Sequence, residues 1–304
     1  MKKLLFSFFK LATRLFQGKN LGAWIPGLRP SHRFLLNALK PKGVVEIIVF
    51  GKTLFVDTRD SGEANEIILG EQYSPYETEI FRSLVNPGMT IADIGAHIGY
   101  FTIMAADLVG PSGRVYAFEP DPKNFALLSR SISANQFVNV VSENKAVSNK
   151  AGIETLFLDR SNLGNMSFSR QNIPADSSGG NVSVPTVTLD EYFSGLSLDI
   201  IKIDVQGAEG RVFECSKDTL HKVQFVLAEF WPFGLRNVGT DPRAFLEMFV
   251  RAGFSLYLLN EGAHTMKKKT IDELLLISGN RPEGKGWANI LCVRDSPQAL
   301  LYGH

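Results

Sequence analysis

From residue 90 onward, short apolar runs alternate with segments whose apolar positions recur at helical spacing. Thr90–Ile94, Arg114–Phe118 and Val138–Val141 read as strands. Tyr100–Val109 reads as a helix closed by Gly110-Pro111. A second helix runs from Pro122 to about Asn135, with Asp121 as its cap and proline at its first position. Strand, helix, strand, helix, strand at this spacing predicts a parallel sheet with right-handed crossovers. The pattern resumes with strand Ile200–Ile203, helix Gly207–Ser216 and strand Val223–Glu229. Helix Ala244–Ala252, behind Asp241-Pro242, and strands Phe254–Leu259 and Ile290–Val293 complete it. Seven or so strands with interleaved helices predict one doubly wound α/β domain over residues 61–304.

Two regions depart from that rhythm. After an expected strand at Ile153–Leu158, residues 159–183 are polar and rich in Ser, Asn and Gly. A polar loop of that length inside a compact domain is either disordered or part of a binding site. Residues 1–60 form an extension ahead of the domain. Within it, Val44–Phe50 and Leu54–Val56 flank a Gly51-Lys52 turn and read as a hairpin. A helical stretch around Tyr76–Leu84 then stops at Pro87-Gly88.

At the N-terminus, Leu4, Phe8, Leu11 and Leu15 fall at helical spacing, with Lys3, Lys10 and Arg14 between them. Lys10 and Arg14 interrupt the apolar stretch and no small-residue cleavage site follows, which argues against a secretory signal. The run is also far short of the roughly 20 apolar residues a membrane-spanning helix needs. An amphipathic helix is expected. Two roles stay open for it: packing on its own domain or a second subunit, or peripheral contact with a membrane surface.

Composition narrows the classes. Hydrophobic residues make up 44% of the 304 and charged residues 21%, enough to bury a sizeable core and too apolar for a disordered chain. A net charge of +1 gives no reason to expect a nucleic-acid partner. Cys215 and Cys292 stand far apart with no CxxC pair, which suits a reducing cytoplasm. His32, His221, His264 and His304 form no ligand-spaced cluster with Cys or Asp, so no metal is expected.

The chemistry concentrates at strand ends. The first strand of the domain runs into Asp93-Ile94-Gly95-Ala96-His97-Ile98-Gly99 and then directly into a helix. Ligands of open α/β sheets bind beyond the carboxyl ends of strands, where glycines allow a tight turn and close backbone approach. A dinucleotide loop is G-x-G-x-x-G, whereas this one is G-x-x-x-G with Ala96 and His97 between the glycines. The missing middle glycine counts against NAD and FAD. Glu119, 20 residues after Gly99, ends the second strand, where an acid accepts hydrogen bonds from both ribose hydroxyls. Alone, that acid fits NAD or S-adenosylmethionine equally. Asp93 adds a carboxylate able to orient a methionine amino end.

With these residues in view, 93–102 (Asp-Ile-Gly-Ala-His-Ile-Gly-Tyr-Phe-Thr), 117–122 (Ala-Phe-Glu-Pro-Asp-Pro), Lys145-Ala146-Val147 and Ile201 to Glu209 (Ile-Lys-Ile-Asp-Val-Gln-Gly-Ala-Glu) resemble the FkbM family of methyltransferases. The resemblance runs in order from about residue 70 to 293. It implies a Rossmann-like class I methyltransferase fold, S-adenosylmethionine as cofactor, and methyl transfer to a hydroxyl of a sugar, glycan or secondary metabolite. The family turn usually carries asparagine where His97 stands, which puts an amide contact there in doubt. Gln206 stands where glutamate is also frequent.

Methyl transfer is an in-line displacement that needs a positioned acceptor oxygen and is helped by a base. Asp204, at the end of its strand, is the first candidate for base or acceptor positioner, and His97 is the second. Lys202 is expected to pair with Asp204 or Glu209; the bland alternative is a salt-bridged scaffold at a strand–helix junction. Tyr76 and Glu77 are candidates to close over the methionine end of the cofactor, and Asn144 to meet the adenine edge. Glu209, Glu229 and Trp231 are candidates to line the acceptor pocket, although the aromatics equally suit a core. Two rivals remain. An NAD-dependent oxidoreductase or epimerase is disfavoured by the glycine spacing and by the absence of a Tyr-x-x-x-Lys pair. A non-catalytic cofactor-binding scaffold is the other.

Overall fold

The computed structural model describes residues 39–69, 72–280 and 284–294. The expected N-terminal amphipathic helix lies outside them. No helix among the described residues is long and apolar enough to cross a membrane.

The described chain opens with a hairpin of β1 (Val44–Val49) and β2 (Lys52–Asp57). Val49 pairs with Lys52, so the turn is Phe50-Gly51, one residue earlier than expected. Both turn residues have positive φ, 54° and 76°. Two-residue turns of that hand match the twist of the strands they join. Helices α1 (Glu63–Leu69) and α2 (Pro75–Leu84) follow.

The first half of the main sheet is β3 (Thr90–Ile94), α3 (Tyr100–Val109), β4 (Arg114–Phe118), α4 (Pro122–Ala134) and β5 (Val140–Glu143). Asp121 caps α4 as expected, accepting from the N–H groups of Lys123 and Asn124. Nearly every residue of α3 is buried, as befits a helix covered on all sides. Its cover includes the hairpin. Leu54, Phe55 and Val56 sit in the same core as Ile91, Phe101 and Met104. On α4, the Ser131 hydroxyl accepts from Phe55 N–H, and Arg130 lies 3.8 Å from the centre of the Phe55 ring.

A small second sheet, ordered β6-β8-β7, interrupts the alternation with β6 (Ala146–Val147), β7 (Gly152–Asp159) and β8 (Ser178–Val187). The polar segment is thus partly a strand, with Leu156 opposite Val182 and Glu154 opposite Val184. Gly179, Gly180 and Asn181 are poor strand formers and hide it from a propensity reading.

The second half runs α5 (Leu189–Tyr192), β9 (Ile200–Ile203), α6 (Glu209–Glu214), α7 (Lys217–Leu220), β10 (Phe225–Phe230), α8 (Pro232–Val238) and α9 (Pro242–Arg251). Strands β11 (Phe254–Asn260) and β12 (Thr265–Lys268), helix α10 (Ile271–Leu275) and strand β13 (Ala288–Arg294) end it. The main sheet has eight strands in the order β12-β11-β13-β10-β9-β3-β4-β5. Strands β5, β4, β3, β9 and β10 are mutually parallel, while β13, β11 and β12 pair antiparallel. The eighth strand, β12, lies at the edge. Its lysines guard an exposed edge and erase the apolar run that would announce it.

Strand order reverses between β3 and β9. The crevice beyond their carboxyl ends is where an open α/β sheet binds its ligand.

Candidate active site

The turn after β3 folds as its glycines require. Gly95 has φ +82°, and a Cβ there would lie 1.9 Å from the Asp204 carbonyl oxygen, so only glycine fits between β3 and β9. The N–H groups of Gly95 and Ala96 donate to the Phe118 carbonyl, tying the turn to β4. Gly99, at φ +96°, starts α3 with its α-carbon against Leu128. Asp93 is buried and accepts the Thr102 hydroxyl at 2.5 Å.

Glu119 is buried at the end of β4 and bridges the turn, accepting from His97 N–H and Asp121 N–H at 2.8 Å each. Burial pushes its pKa up to about 7, partly offset by His97 and by the backbone donor of Asp121. His97 holds positive φ, 51°, and is almost fully buried. Gly95, His97, Phe118, Glu119, Asp204 and Gln206 line one cleft, closed from the other side by Leu163, Met166 and Phe168. Asn144, expected at an adenine edge, donates its amide to the carbonyls of Glu119 and Pro120 at 2.8 and 3.0 Å. It fixes the end of β4 and is not among the residues lining the cleft.

Lys202 departs from expectation. Its ammonium pairs with Glu77 at 3.2 Å, not with Asp204 or Glu209, and lies 4.9 Å from the centre of the Phe101 ring. The strand alternation explains the partner: Ile201 and Ile203 face the α9 side of the sheet, and Lys202 faces α2 and α3. Burial works against the ammonium, but Glu77, then Asp204 and Asp93, hold its pKa above the ordinary lysine value. Glu77 is itself fully buried, accepts from Asn289 at 2.8 Å, and is pushed up to about 7 by burial against the opposing pull of Lys202. The N–H groups of Tyr76 and Glu77 both donate to the Glu261 carboxylate, which caps α2 from the β11–β12 turn. These residues form a buried brace beneath the crevice.

Beyond β9 the chain makes a second strained turn, with Gln206 at φ 52° and Gly207 at φ 98°. A Cβ on Gly207 would meet the Gly234 carbonyl at 2.6 Å, so the turn sits directly on α8. Asn172 clamps it, donating to the carbonyls of Gln206 and Gly234 at 3.0 and 3.3 Å, and the Ser167 hydroxyl also donates to Gln206.

The turn gathers three carboxylates. One oxygen each of Asp204, Glu209 and Glu229 lies within 4.8 Å of the others. Gln206 donates to Asp204 at 2.7 Å and to Glu229 at 3.3 Å. Glu209 folds back to accept from the N–H groups of Val205 and Gly207. It lines neither cleft directly. Burial, reinforced by Asp204, pushes Glu209 up to about 7. Burial and the Asp204 and Glu209 charges also raise Glu229, against the pull of Lys202.

Glu229 and Gln206 open onto a second cleft of about 620 Å³. Its walls carry Trp231, Phe233 and Trp287 with Asn162, Asn165 and Asn172. The Trp231 ring lies over Gly234, where any Cβ would collide with it, and 5.7 Å from Phe233. Gln206 belongs to both clefts, so they meet at the β9 turn. Asn162, Asn165 and Asn172 come from the polar segment whose composition had left disorder and binding equally open. Trp287 and Phe233 gave no pattern of their own.

Residues 93–256, more than half of the chain, match the Methyltransferase FkbM domain. The hexuronic acid methyltransferase AglP of Haloferax volcanii is 25% identical over 171 residues, 54% of this chain and 62% of that protein. The chain therefore spans less than two thirds of that curated relative. Among solved structures, an S-adenosylmethionine-dependent O-methyltransferase from Thermotoga maritima has a TM-score of 0.41 at 12% identity, covering 86% of this chain and 81% of that one. An rRNA methylase from Streptococcus thermophilus has a TM-score of 0.40 at 12% identity, covering 74% and 98%. Likenesses that loose carry no argument about the substrate. The family match is another matter, since it takes in the whole switch-point turn and the block after β9: the chain belongs to the FkbM family of S-adenosylmethionine-dependent methyltransferases.

Proposed function

We propose that this protein transfers the methyl group of S-adenosylmethionine to a hydroxyl oxygen of a sugar, glycan or secondary metabolite, and that the two clefts hold donor and acceptor. The observation that carries this reading is their meeting at Gln206, with Asp204 on one side and Glu229 on the other. The first cleft suits the cofactor. Glu119 and Gly95 line it, Glu119 presenting a carboxylate for ribose hydroxyls, while buried Asp93 lies behind the turn, bonded to Thr102. When bound, the cofactor supplies a methyl carbon whose bond to sulfur breaks with the electron pair staying on sulfur.

The chain's own residues do the rest. Asp204 stands at the junction and takes the acceptor O–H proton as the oxygen–carbon bond forms. Trp231 and Trp287 give flat faces for the apolar side of a sugar ring, while Asn162, Asn165 and Asn172 offer amides to its hydroxyls. The named substrate of the Haloferax relative is a sugar acid, which agrees with that chemistry. A non-catalytic scaffold would not need an acceptor cleft opening on the cofactor turn.

The test is incubation with methyl-labelled cofactor and a panel of mono- and oligosaccharides, followed by mild alkaline hydrolysis of the labelled product. An alkali-stable methyl ether is expected. A label released as methanol would place the reaction on a carboxylate and overturn the hydroxyl reading.

A further inference from the structure

We propose that Asp204, Glu209 and Glu229 bind one divalent metal cation, which holds the acceptor hydroxyl where the two clefts meet. The proposal rests on the methyl-transfer reading above and adds the means of activating the acceptor.

Geometry comes first. Each residue offers one carboxylate oxygen, and all three lie within 4.8 Å of one another. Oxygens on opposite sides of a calcium ion are about 4.6–5.2 Å apart, and of a magnesium ion about 4.0–4.2 Å, twice the usual ligand distances. The cluster spans one hard cation with little rearrangement. Three oxygen donors and no sulfur or imidazole select magnesium, manganese or calcium over zinc or copper. An expectation of no metal based on histidine and cysteine spacing could not register such a site.

Glu209 supplies the independent observation. It is completely buried, and its Oε1 takes the N–H groups of Val205 and Gly207. Oε2, also sealed from solvent, has no hydrogen-bond partner among the described residues. A buried carboxylate oxygen with nothing to accept is costly unless a cation or proton meets it.

Charge balance points the same way. Glu229 feels the charges of Asp204, Glu209 and Glu77, and the ammonium that answers them, Lys202, is paired with Glu77 at 3.2 Å. Glu209 accepts from the backbone N–H groups of Val205 and Gly207, while the Gln206 side-chain amide bridges Asp204 and Glu229. A half-turn of that amide presents its oxygen instead and makes a fourth ligand. Position completes the case, since Glu229 and Gln206 face the acceptor cleft. An acceptor hydroxyl completing the shell becomes more acidic. Its proton passes to a carboxylate of the cluster, its lone pair forms the bond to the methyl carbon, and the carbon–sulfur pair leaves on sulfur.

The test needs neither cofactor nor acceptor. The full chain is stripped with EDTA, desalted and titrated with Mn²⁺, while the electron paramagnetic resonance of free Mn²⁺ and the melting temperature are followed. One Mn²⁺ per chain, displaced by Ca²⁺ or Mg²⁺ and raising the melting temperature, is expected. Affinity should fall at least tenfold in Glu229→Gln and in Glu209→Gln, each checked for folding by circular dichroism. Glu229→Gln keeps the test decisive if the fully buried Glu209 does not tolerate change. The absence of stoichiometric Mn²⁺ binding, or equal binding by wild type and both variants, overturns the proposal. Methyl transfer undiminished in EDTA by a chain that binds no Mn²⁺ sinks the cation and spares the transferase reading. Mn²⁺ binding without sugar methylation does the reverse.

Discussion

Glu119 and Lys202 are both buried ionisable groups, and the structure uses them in opposite ways. Burial pushes the Glu119 pKa up to about 7 by disfavouring its charge, against the pull of His97 and of the Asp121 N–H, both of which favour ionisation. Ribose hydroxyls donate hydrogen bonds, so cofactor binding favours the carboxylate and expels the proton. The dissociation constant should therefore fall roughly tenfold per unit as pH rises toward 7 and level off above it. Titration calorimetry across pH 5–8 should show that slope in wild type and none in Glu119→Gln. For stability the sign is reversed. A folded pKa above the unfolded 4.5 means Glu119's contribution is present at low pH and lost as pH rises through about 7. Lys202 is charged and paired, so removing it strands Glu77. Lys202→Met should cost about 3–5 kcal/mol in urea unfolding, and Lys202→Met with Glu77→Gln should recover most of that. Asp204→Asn, by contrast, should leave cofactor affinity within about threefold and lower turnover by roughly 10²–10⁴. Unchanged turnover would remove Asp204 from the chemistry.

At the scale of elements, the site is two turns pressed together. Gly95 follows β3, and its α-carbon faces the Asp204 carbonyl at the end of β9. Gly95→Ala meets both a left-handed backbone and a carbonyl that cannot retreat. It should lose at least about 1–2 kcal/mol from conformation alone, together with cofactor binding, as thermal melting with and without cofactor would show. This turn was legible in the sequence because every part of it lies within seven residues. The strand–helix alternation was legible for the same reason, each period being local. The second cleft was legible only in part, through Glu229 and Trp231 at the end of β10 and the polar segment 159–183. It joins Asn172, Gln206, Trp231 and Trp287, which are brought together only by the crossover connections and by the clamp of Asn172 on Gln206 and Gly234. Lys202 shows a subtler limit: the face it occupies was readable from alternation, but its partner comes from α2, more than a hundred residues upstream. The charged edge strand β12 carries no apolar period at all.

Over the whole molecule, the described residues form two large cores on the faces of one sheet, a minor cluster of Ala96, Ala117, Leu128 and Ile132 between α4 and β4, and a small core beneath the β6-β8-β7 sheet. The large cores hold residues such as Ile91, Met104, Phe230 and Phe245, while the small one has Ala146, Leu156 and Val184 as its buried members. Stability should follow that division, because opening free energy tracks buried apolar contact. Strands β3, β9 and β10 should exchange their amide hydrogens near the global rate, and β7 and β8 through an earlier, partial opening. That partial opening matters to the cofactor. The cleft at Glu119 has only about 40 Å³ of free space, with Leu163, Met166 and Phe168 across its mouth. A nucleoside is far larger, and the expected route of entry is an outward movement of the strip from Leu163 to Phe168. The strip is held by Asn124 donating to the Leu163 carbonyl and by Leu163 N–H donating to Asp60. Ser167 also exchanges two backbone hydrogen bonds with Phe157 of β7 and donates its hydroxyl to Gln206, so opening must also loosen β7. Hydrogen exchange read by mass spectrometry should therefore show peptides covering 160–170 and β7 exchanging early. Saturating S-adenosylmethionine should slow them several-fold and leave β10 and β13 unchanged. Protection of 160–170 equal to that of β9 without cofactor would mean that the strip is rigid and the cofactor enters by another route.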